Sequence, residues 1–274
     1  MKKTLVSHIR NEEYLLPFWL KHHKKYFDHG IIVDYNSTDS SVEIIKSICP
    51  TWEVVPSRNV KLDALVMDRE IEDIESQHPG WKMCLSTTEF LVGDYKKLDS
   101  IYEPTELLIP ALNMVEHPSQ EGIHPSYDTD IFLQKTYGIH YEDRIVYSNN
   151  EITYNGRIDS HIKAQNTGYL TRRLRLLHNR DRITYPLGRH YHDPGNINKD
   201  FIIVYYRFCP FNDITLRRMT RMQENIESDN KDKNLGYEHF MDEIETTRWV
   251  REWQRNSRDL SGYIDQYVKI MERS

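Results

Sequence analysis

The sequence predicts an α/β fold, in which helices cover both faces of a mostly parallel sheet. Four short apolar segments, at 3–6, 30–33, 52–55 and 81–85, have the composition of buried strands. Segments with helical spacing separate them, as the crossovers between parallel strands require. Strands that are apolar along their whole length are typical of sheets covered on both faces. The alternation therefore indicates successive β–α units in one large domain.

The first two predicted strands both end in polar residues. The first runs into Ser-His-Ile-Arg-Asn-Glu-Glu at 7–13, and the second runs into Asp-Tyr-Asn-Ser-Thr-Asp at 34–39. Open α/β sheets bind ligands in the crevice at the carboxyl ends of their strands. The two segments thus predict a ligand crevice, although Thr38 or Asp39 is equally suited to cap the next helix, at 40–48.

A longer amphipathic helix is predicted at 61–77. Apolar residues recur there near helical spacing, and the acidic residues between them are expected on a solvated outer face. These acidic residues are Asp68, Glu70, Glu72, Asp73 and Glu75.

The predicted secondary structure changes twice in the second half of the chain. Residues 106–112 read as a strand, 117–130 as a long loop, and 144–208 as short strands that end in the apolar run 201–206. Beyond Pro210 the spacing becomes helical. We therefore divide the chain into a domain at 1–210 and a helical appendage at 211–274. The appendage is expected to pack on the domain through Met219, Met222, Phe240, Trp249 and Ile264.

Composition narrows the class of protein further. At 274 residues, with 38% hydrophobic and 28% charged residues, the chain is typical of a globular protein with a substantial core. A net charge of −6 disfavours a general nucleic-acid binder. No apolar run approaches the roughly 20 residues of a membrane span, and the polar start disfavours a signal peptide. Three widely spaced cysteines are expected to be reduced, which predicts a cytosolic protein.

Several motifs together resemble one known family. Arg-Asn-Glu-Glu at 10–13, a helix containing Trp, and Val-Asp-x-Asn-Ser-Thr-Asp at 33–39 are similar to the opening of GT-A glycosyltransferases of the family-2-like group. Trp81 and Glu-Phe-Leu at 89–91 stand where that family has Trp, an apolar strand and Asp-x-Asp-Glu-Phe-Leu. Weaker similarity at 172–190 extends the resemblance over residues 3 to 207. It implies a GT-A fold and transfer of a sugar from a nucleotide diphosphate.

The chain departs from this family at its metal site. The two aspartates of the family fall on Ser86 and Thr88, and Glu89 alone keeps a carboxylate. Such aspartates hold a divalent cation that neutralises the diphosphate leaving group, and a hydroxyl is a poor substitute. Three outcomes stay open: transfer without metal, in which Arg, Lys or His steadies the diphosphate; Mn²⁺ or Mg²⁺ held weakly by Glu89 and a distant histidine; or a silent relative that only binds. We favour the first two jointly.

The resemblance and the strand ends together nominate a set of site residues. Those expected to bind the nucleotide or the donor are His8, Arg10, Asp34, Tyr35, Arg69, Ser86, Thr88 and Arg189. His190 and His192 share one face of a predicted strand end and could join Glu89 around a metal. Glu89 and Asp159 are the candidate catalytic residues. Asp159 is preferred as general base over Asp128, Asp130 and His161.

Most of these residues also have a simple structural interpretation. Asp34 can form a turn, Tyr35 can pack in the core, and Arg10 can pair with Glu12 or Glu13. A surface ion pair is the stronger expectation for Arg69, and Glu89 can support its strand rather than a metal.

The function expected from the sequence is a cytosolic hexosyl- or pentosyltransferase. The expected donor is a nucleotide-diphosphate sugar, preferably linked to UDP, and the acceptor is a hydroxyl of a glycan or a small molecule. Long loops in compact domains are often functional, and the loop at 117–130 could cover that acceptor. The main alternative is a nucleotide-sugar-binding relative without catalysis. A nucleotidyltransferase is less favoured, because no Gly-rich loop follows the first strand.

Overall fold

The structure is a computed structural model that describes residues 1–59, 61–138, 145–148, 151–154, 174–189, 197–223, 226, 241–255 and 257–273. The strands in these residues are β1 (Lys3–Ile9), β2 (His29–Asp34), β3 (Glu53–Pro56), β4 (Trp81–Cys84), β5 (Glu89–Gly93), β6 (Glu106–Asn113), β7 (Tyr137–Gly138), β8 (Ile145–Ser148), β9 (Glu151–Tyr154), β10 (Leu174–His178), β11 (Phe201–Tyr205) and β12 (Arg258–Asp259). The helices are α1 (Leu16–His23), α2 (Ser41–Ile48), α3 (Ala64–Ser76), α4 (Lys96–Asp99), α5 (Ile131–Gln134), α6 (Asp213–Gln223), α7 (Glu243–Arg255) and α8 (Ser261–Met271).

One eight-stranded sheet forms the centre, in the order β3-β2-β1-β4-β10-β6-β11-β5. Strands β1 to β4 are parallel to one another. Strand β10 runs against its neighbours β4 and β6, so that β6 and β11 point the same way as β1. Six of these eight strands therefore end at one edge, which we call the carboxyl edge. The predicted α/β class with a mostly parallel sheet is confirmed.

Helices cover both faces of this sheet, as its apolar strands predict. On β1, Leu5 packs with α1 and α2 in the main core, whereas Val6 packs with Ile71 of α3 in a second cluster on the opposite face. This alternation follows from the two-residue period of a strand.

The prediction that the acidic residues of α3 face solvent is wrong for three of the five. Asp68, Glu70 and Glu75 are at most 4% exposed. Asp68 and Glu75 lie on the same helix face as the buried Ile71, since residues three, four and seven apart align. Their carboxylates accept hydrogen bonds from neighbouring segments, and Glu75, for example, binds Tyr185 Oη at 2.9 Å and His178 Nε2 at 3.2 Å. Buried acids of this kind stabilise the fold only while these partners remain.

The C-terminal helices pack against the sheet domain. Met219 of α6 and Val250 of α7 form a third apolar cluster with Val115 and Phe208, and Trp249 packs against it. Ile264 of α8 lies in the main core. Phe240 and the side chain of Met222 lie outside the described residues.

Two adjacent histidines on α1, His22 and His23, are completely buried. The Nε2 atom of His22 lies 2.7 Å from the carbonyl of Leu91, and the N–H of Leu91 donates to Nε2 of His23 at 3.3 Å. That bond makes His23 Nε2 an acceptor, so its proton sits on Nδ1 and faces the carbonyl of Trp19. Burial lowers the pKa of His22 from 6.5 to about 4 and lowers the pKa of His23 well below 6.5.

We expect this pair to make the protein sensitive to mild acid. The unfolded chain takes up protons near pH 6.5 and the folded chain does not, so stability falls as the pH drops from about 6.5 towards 4. From His22 alone the loss is on the order of 3 kcal/mol. Urea unfolding at pH 7.5, 5.5 and 4.5 measures it. The His22→Gln variant should show a weaker pH dependence, and an unchanged slope would contradict this assignment.

Candidate functional site

The ends of β1 and β2 form one hydrogen-bonded unit at the carboxyl edge. Asn11, in a left-handed conformation with φ 54°, donates its N–H to Ser37 Oγ at 3.0 Å. Its side-chain oxygen accepts from the N–H groups of Thr38 at 2.7 Å and Asp39 at 3.3 Å. Asp39 in turn accepts from the N–H of Ser41, the first residue of α2, at 3.0 Å. The two polar segments that the sequence singles out are therefore in direct contact.

Asp34 shows its expected turn role and retains an available oxygen. Its Oδ1 accepts from the N–H of Ser37 at 3.0 Å, which fixes the turn after β2. Its Oδ2 makes no hydrogen bond within the described part of the chain, and the side chain is only partly buried. Asp34 can therefore hold the turn and accept a hydrogen bond from a ligand at the same time.

Arg10 carries a positive charge that no described carboxylate pairs. Its Nη1 donates to the carbonyl of Tyr35 at 3.2 Å, whereas its Nε is buried and finds no hydrogen-bond partner among the described residues. The expected alternative, an ion pair with Glu12 or Glu13, does not form: Glu12 binds Arg218, and Glu13 accepts from the N–H of Ser40. A guanidinium in this state is suited to bind an anion.

His8 and Tyr35 lie beside this arginine in different states. The Nε2 atom of His8 is buried without a hydrogen-bond partner in the described residues, and the ring lies 5.6 Å from that of Tyr35. Burial and then the nearby charge of Arg189 lower the pKa of His8 well below 6.5, so the ring is neutral. Tyr35 is 2% exposed and its hydroxyl donates to Glu70 at 3.3 Å. The placement of Tyr35 favours packing over contact with a base.

The loop 86–89 follows β4 and ends on the first residue of β5, at the positions where the resemblance expects metal-binding aspartates. Glu89 is completely buried: its Oε1 accepts from Arg175 Nε at 2.8 Å and its Oε2 accepts from the N–H of Ser86 at 2.9 Å. Thr88 is buried as well, and its carbonyl accepts from the N–H of Tyr206 at 2.7 Å. Glu89 thus closes the loop on itself, which favours the supporting role for this carboxylate.

A second buried carboxylate, Glu12, holds the middle of the same loop. Its Oε2 accepts from Thr87 Oγ1 at 2.9 Å and from Arg218 Nε at 2.7 Å, and its Oε1 accepts from Arg218 Nη2 at 2.8 Å. Arg218 belongs to α6, far along the chain. The two parallel bonds form the bidentate geometry that makes such pairs strong and directional.

Arg189, expected to bind the donor, forms an ion pair with Asp68 instead. Its Nη1 donates to Asp68 Oδ1 at 2.5 Å, and Asp68 also accepts from the N–H of Gly188 at 2.7 Å. Arg175 donates to the carbonyls of Gly188 and Arg189, at 3.1 Å each. Burial raises the pKa of Asp68, against the opposing charge of Arg189. The segment 187–189 is therefore tied to both α3 and the Glu89 carboxylate.

The described residues do not fit a divalent cation at this loop. Ser86 and Thr88 offer hydroxyls, while Glu89 and Glu12 already bind arginines. Within the described ranges, no group of three or more His, Cys, Asp or Glu side chains has the arrangement of a metal site. His190, His192 and the proposed base Asp159 lie outside the described residues.

Arg69 is the last predicted site residue that the structure describes. Arg69 is exposed on α3 and makes no ion pair within the described chain, in contrast to the surface pair expected for it.

A cavity of about 500 Å³ lies at the opposite edge of the sheet, lined by residues such as Lys3, Asp28 and Trp52. That cavity is separate from the carboxyl edge.

The chain has distant structural neighbours. A crystal structure of S. aureus TarS has 16% sequence identity and a TM-score of 0.33, over 46% of this chain and 25% of that one. The crystal structure of S. aureus TarS 1–349 matches over 86% of this chain and 69% of that one, with 14% identity and a TM-score of 0.34. The 1–349 structure in complex with UDP-GlcNAc has 17% identity and a TM-score of 0.30, over 46% and 37%.

The first of these matches spans about a quarter of the length of TarS. No protein-family model matches the sequence, and no curated protein is significantly similar to it. None of the described helices combines the length and apolar composition of a membrane span.

Proposed function

We propose that the protein is a glycosyltransferase that uses a nucleotide-diphosphate sugar, preferably UDP-linked, and transfers the sugar to a hydroxyl of a glycan or a small molecule. The observation that carries this proposal is the union of three motif segments at the carboxyl edge. The ends of β1 and β2 and the loop 86–89 form one network through Asn11, Glu12 and Thr87. Ligands of open α/β sheets bind at this edge.

Within this proposal the described residues have distinct tasks. Arg10 binds a phosphate oxygen, because no carboxylate among the described residues pairs with its guanidinium. Asp34 accepts a hydroxyl or base N–H through Oδ2. The predicted general base, Asp159, would deprotonate the acceptor hydroxyl. The resemblance implies a divalent cation that would neutralise the leaving diphosphate. Because the described residues of the loop 86–89 do not fit one, we propose that Mn²⁺ or Mg²⁺ binds this chain at most weakly.

The Arg10→Ala variant tests the proposal directly. We expect it to weaken UDP binding by about tenfold or more, because hydrogen bonds to charged groups contribute roughly 1.5–3 kcal/mol each. Isothermal titration with UDP and a panel of UDP- and GDP-linked sugars, with and without EDTA, measures the effect. Arg58→Ala is the matched control, since Arg58 forms an exposed pair with Asp73. Equal affinities for the two variants would contradict the assignment of Arg10.

A binding protein without catalysis is the second candidate. Its support is that both described carboxylates beside the loop 86–89, Glu12 and Glu89, are neutralised by arginines. Donor hydrolysis and transfer to a set of simple glycans separate the two functions. Tight UDP binding without any turnover would favour the binding protein.

A further inference from the structure

Arg218 makes a link that joins the C-terminal helix α6 to the motif at the end of β1. The paired residues Glu12 and Arg218 are 206 positions apart in the chain, and the guanidinium contacts both oxygens of the carboxylate. Glu12 is 6% exposed and Thr87 is 1% exposed. Thr87 donates a hydrogen bond to the same Oε2 atom. The Arg218 guanidinium, the Glu12 carboxylate and the loop 86–89 therefore form one continuous hydrogen-bond network.

The position of this link gives it a role beyond stability. Thr87 lies between Ser86 and Thr88, the two positions where the resemblance expects aspartates around a divalent cation. A loop with two aspartates and one bound divalent cation would have the same net charge as this loop, but the cation would also order it by binding both carboxylates. Arg218 is a fixed cation beside this loop, and its fork of donors imposes direction.

We propose that Arg218 is a positioning residue of the donor site, which takes over the ordering task of the missing cation by holding Glu12 and, through it, Thr87. This inference rests on the proposed function, because the donor diphosphate is what the ordered loop receives. Among the described residues, Arg218 donates through Nε and Nη2 and not through Nη1. Helix α6 then contributes a positioning residue to the donor site.

The test compares three variants on α6: Arg218→Ala, Arg218→Lys and Arg217→Ala. Arg217 is the matched control, because it is exposed on the same helix and, among the described residues, its side chain hydrogen-bonds the carbonyl of Asp213 in its own helix. We expect Arg218→Ala to lower kcat/KM for the UDP-sugar by about 30-fold or more, since the pair is buried and bidentate. Arg218→Lys should recover little, because an ammonium group cannot bind both oxygens in the same way.

Chemical rescue separates positioning from simple folding support. Added guanidinium chloride at low concentration should restore part of the turnover of Arg218→Ala, whereas sodium chloride at the same ionic strength should not. Circular dichroism checks that the variant is folded. Turnover of Arg218→Ala equal to that of Arg217→Ala would overturn the inference, and so would equal rescue by both salts.

A second pair of variants keeps the test decisive if Arg218→Ala does not fold. Thr87→Val removes the hydroxyl at nearly constant shape and leaves the Glu12–Arg218 pair in place, whereas Thr87→Ser keeps the hydroxyl. We expect weaker UDP-sugar binding for Thr87→Val alone. Equal affinities for the two would overturn the inference and leave the proposed function intact. A wild-type protein that binds no nucleotide sugar would instead overturn the proposed function, and the inference with it.

Discussion

A chain that ends at Pro210 is expected to lose its cooperative unfolding transition and to aggregate. The last helix, α8, buries Tyr263, Ile264, Val268 and Met271 in the main core. Full burial of each such side chain stabilises a protein by about 1.5–3 kcal/mol, so their removal costs on the order of 6–12 kcal/mol. That range matches the entire stability of a typical domain, roughly 5–15 kcal/mol.

Calorimetry and size-exclusion chromatography measure this outcome. A chain that ends at Met271 is the control, because residues 272 and 273 are exposed. It should unfold at nearly the temperature of the full chain. A soluble monomer ending at Pro210 with the stability of the full chain would show that the helices at 211–274 are dispensable.

Replacement of Arg175 by methionine is expected to lower the free energy of unfolding by about 3–5 kcal/mol, because it removes one partner of a buried ion pair and leaves the Glu89 carboxylate buried. Glu89 has no exposed surface, and Arg175 is 5% exposed. The same change also removes the hydrogen bonds from Arg175 to the carbonyls of Gly188 and Arg189. Urea unfolding followed by tryptophan fluorescence gives the value.

Arg180→Met is the matched control for this measurement. Arg180 follows β10 and forms a half-exposed pair with Glu106, so its loss should cost about 0–1 kcal/mol. The double variant Glu89→Gln, Arg175→Met should be more stable than Arg175→Met alone, since it also removes the buried negative charge that Arg175 balances. Similar losses for Arg175→Met and Arg180→Met would contradict the buried pair.

The local parts of the fold could be predicted because their signals are local. Apolar runs located β1 to β4, and polar residues after β1 and β2 located the carboxyl edge, where Asn11 and Asp39 now join the two segments. The position of β10 could not be predicted. This late strand inserts between β4 and β6, and nothing in its own residues specifies those neighbours.

The site was harder to predict than the strands because its bonds join distant segments. Single residue types give no sign that Glu12 pairs with Arg218 or that Glu89 pairs with Arg175. The acidic residues of α3 show the same difficulty. Asp68 is typical of a solvated helix face, yet it is 2% exposed and binds Arg189, which lies 121 positions away.

The side chain of Asn11 has a consequence for the kinetics of ligand association. The β1–β2 ladder stops at Ile9 and Asp34, and beyond it the side-chain oxygen of Asn11 takes the place of a backbone acceptor for Thr38 and Asp39. The turn is therefore ordered before any ligand arrives, and its conformational entropy is lost during folding rather than during binding. Ligand binding at this turn should then follow a single exponential. Its rate should rise linearly with ligand concentration, without a slow isomerisation phase. In an Asn11→Gly chain the backbone could keep its left-handed conformation while the oxygen is lost, so the same experiment should show a second, concentration-independent phase.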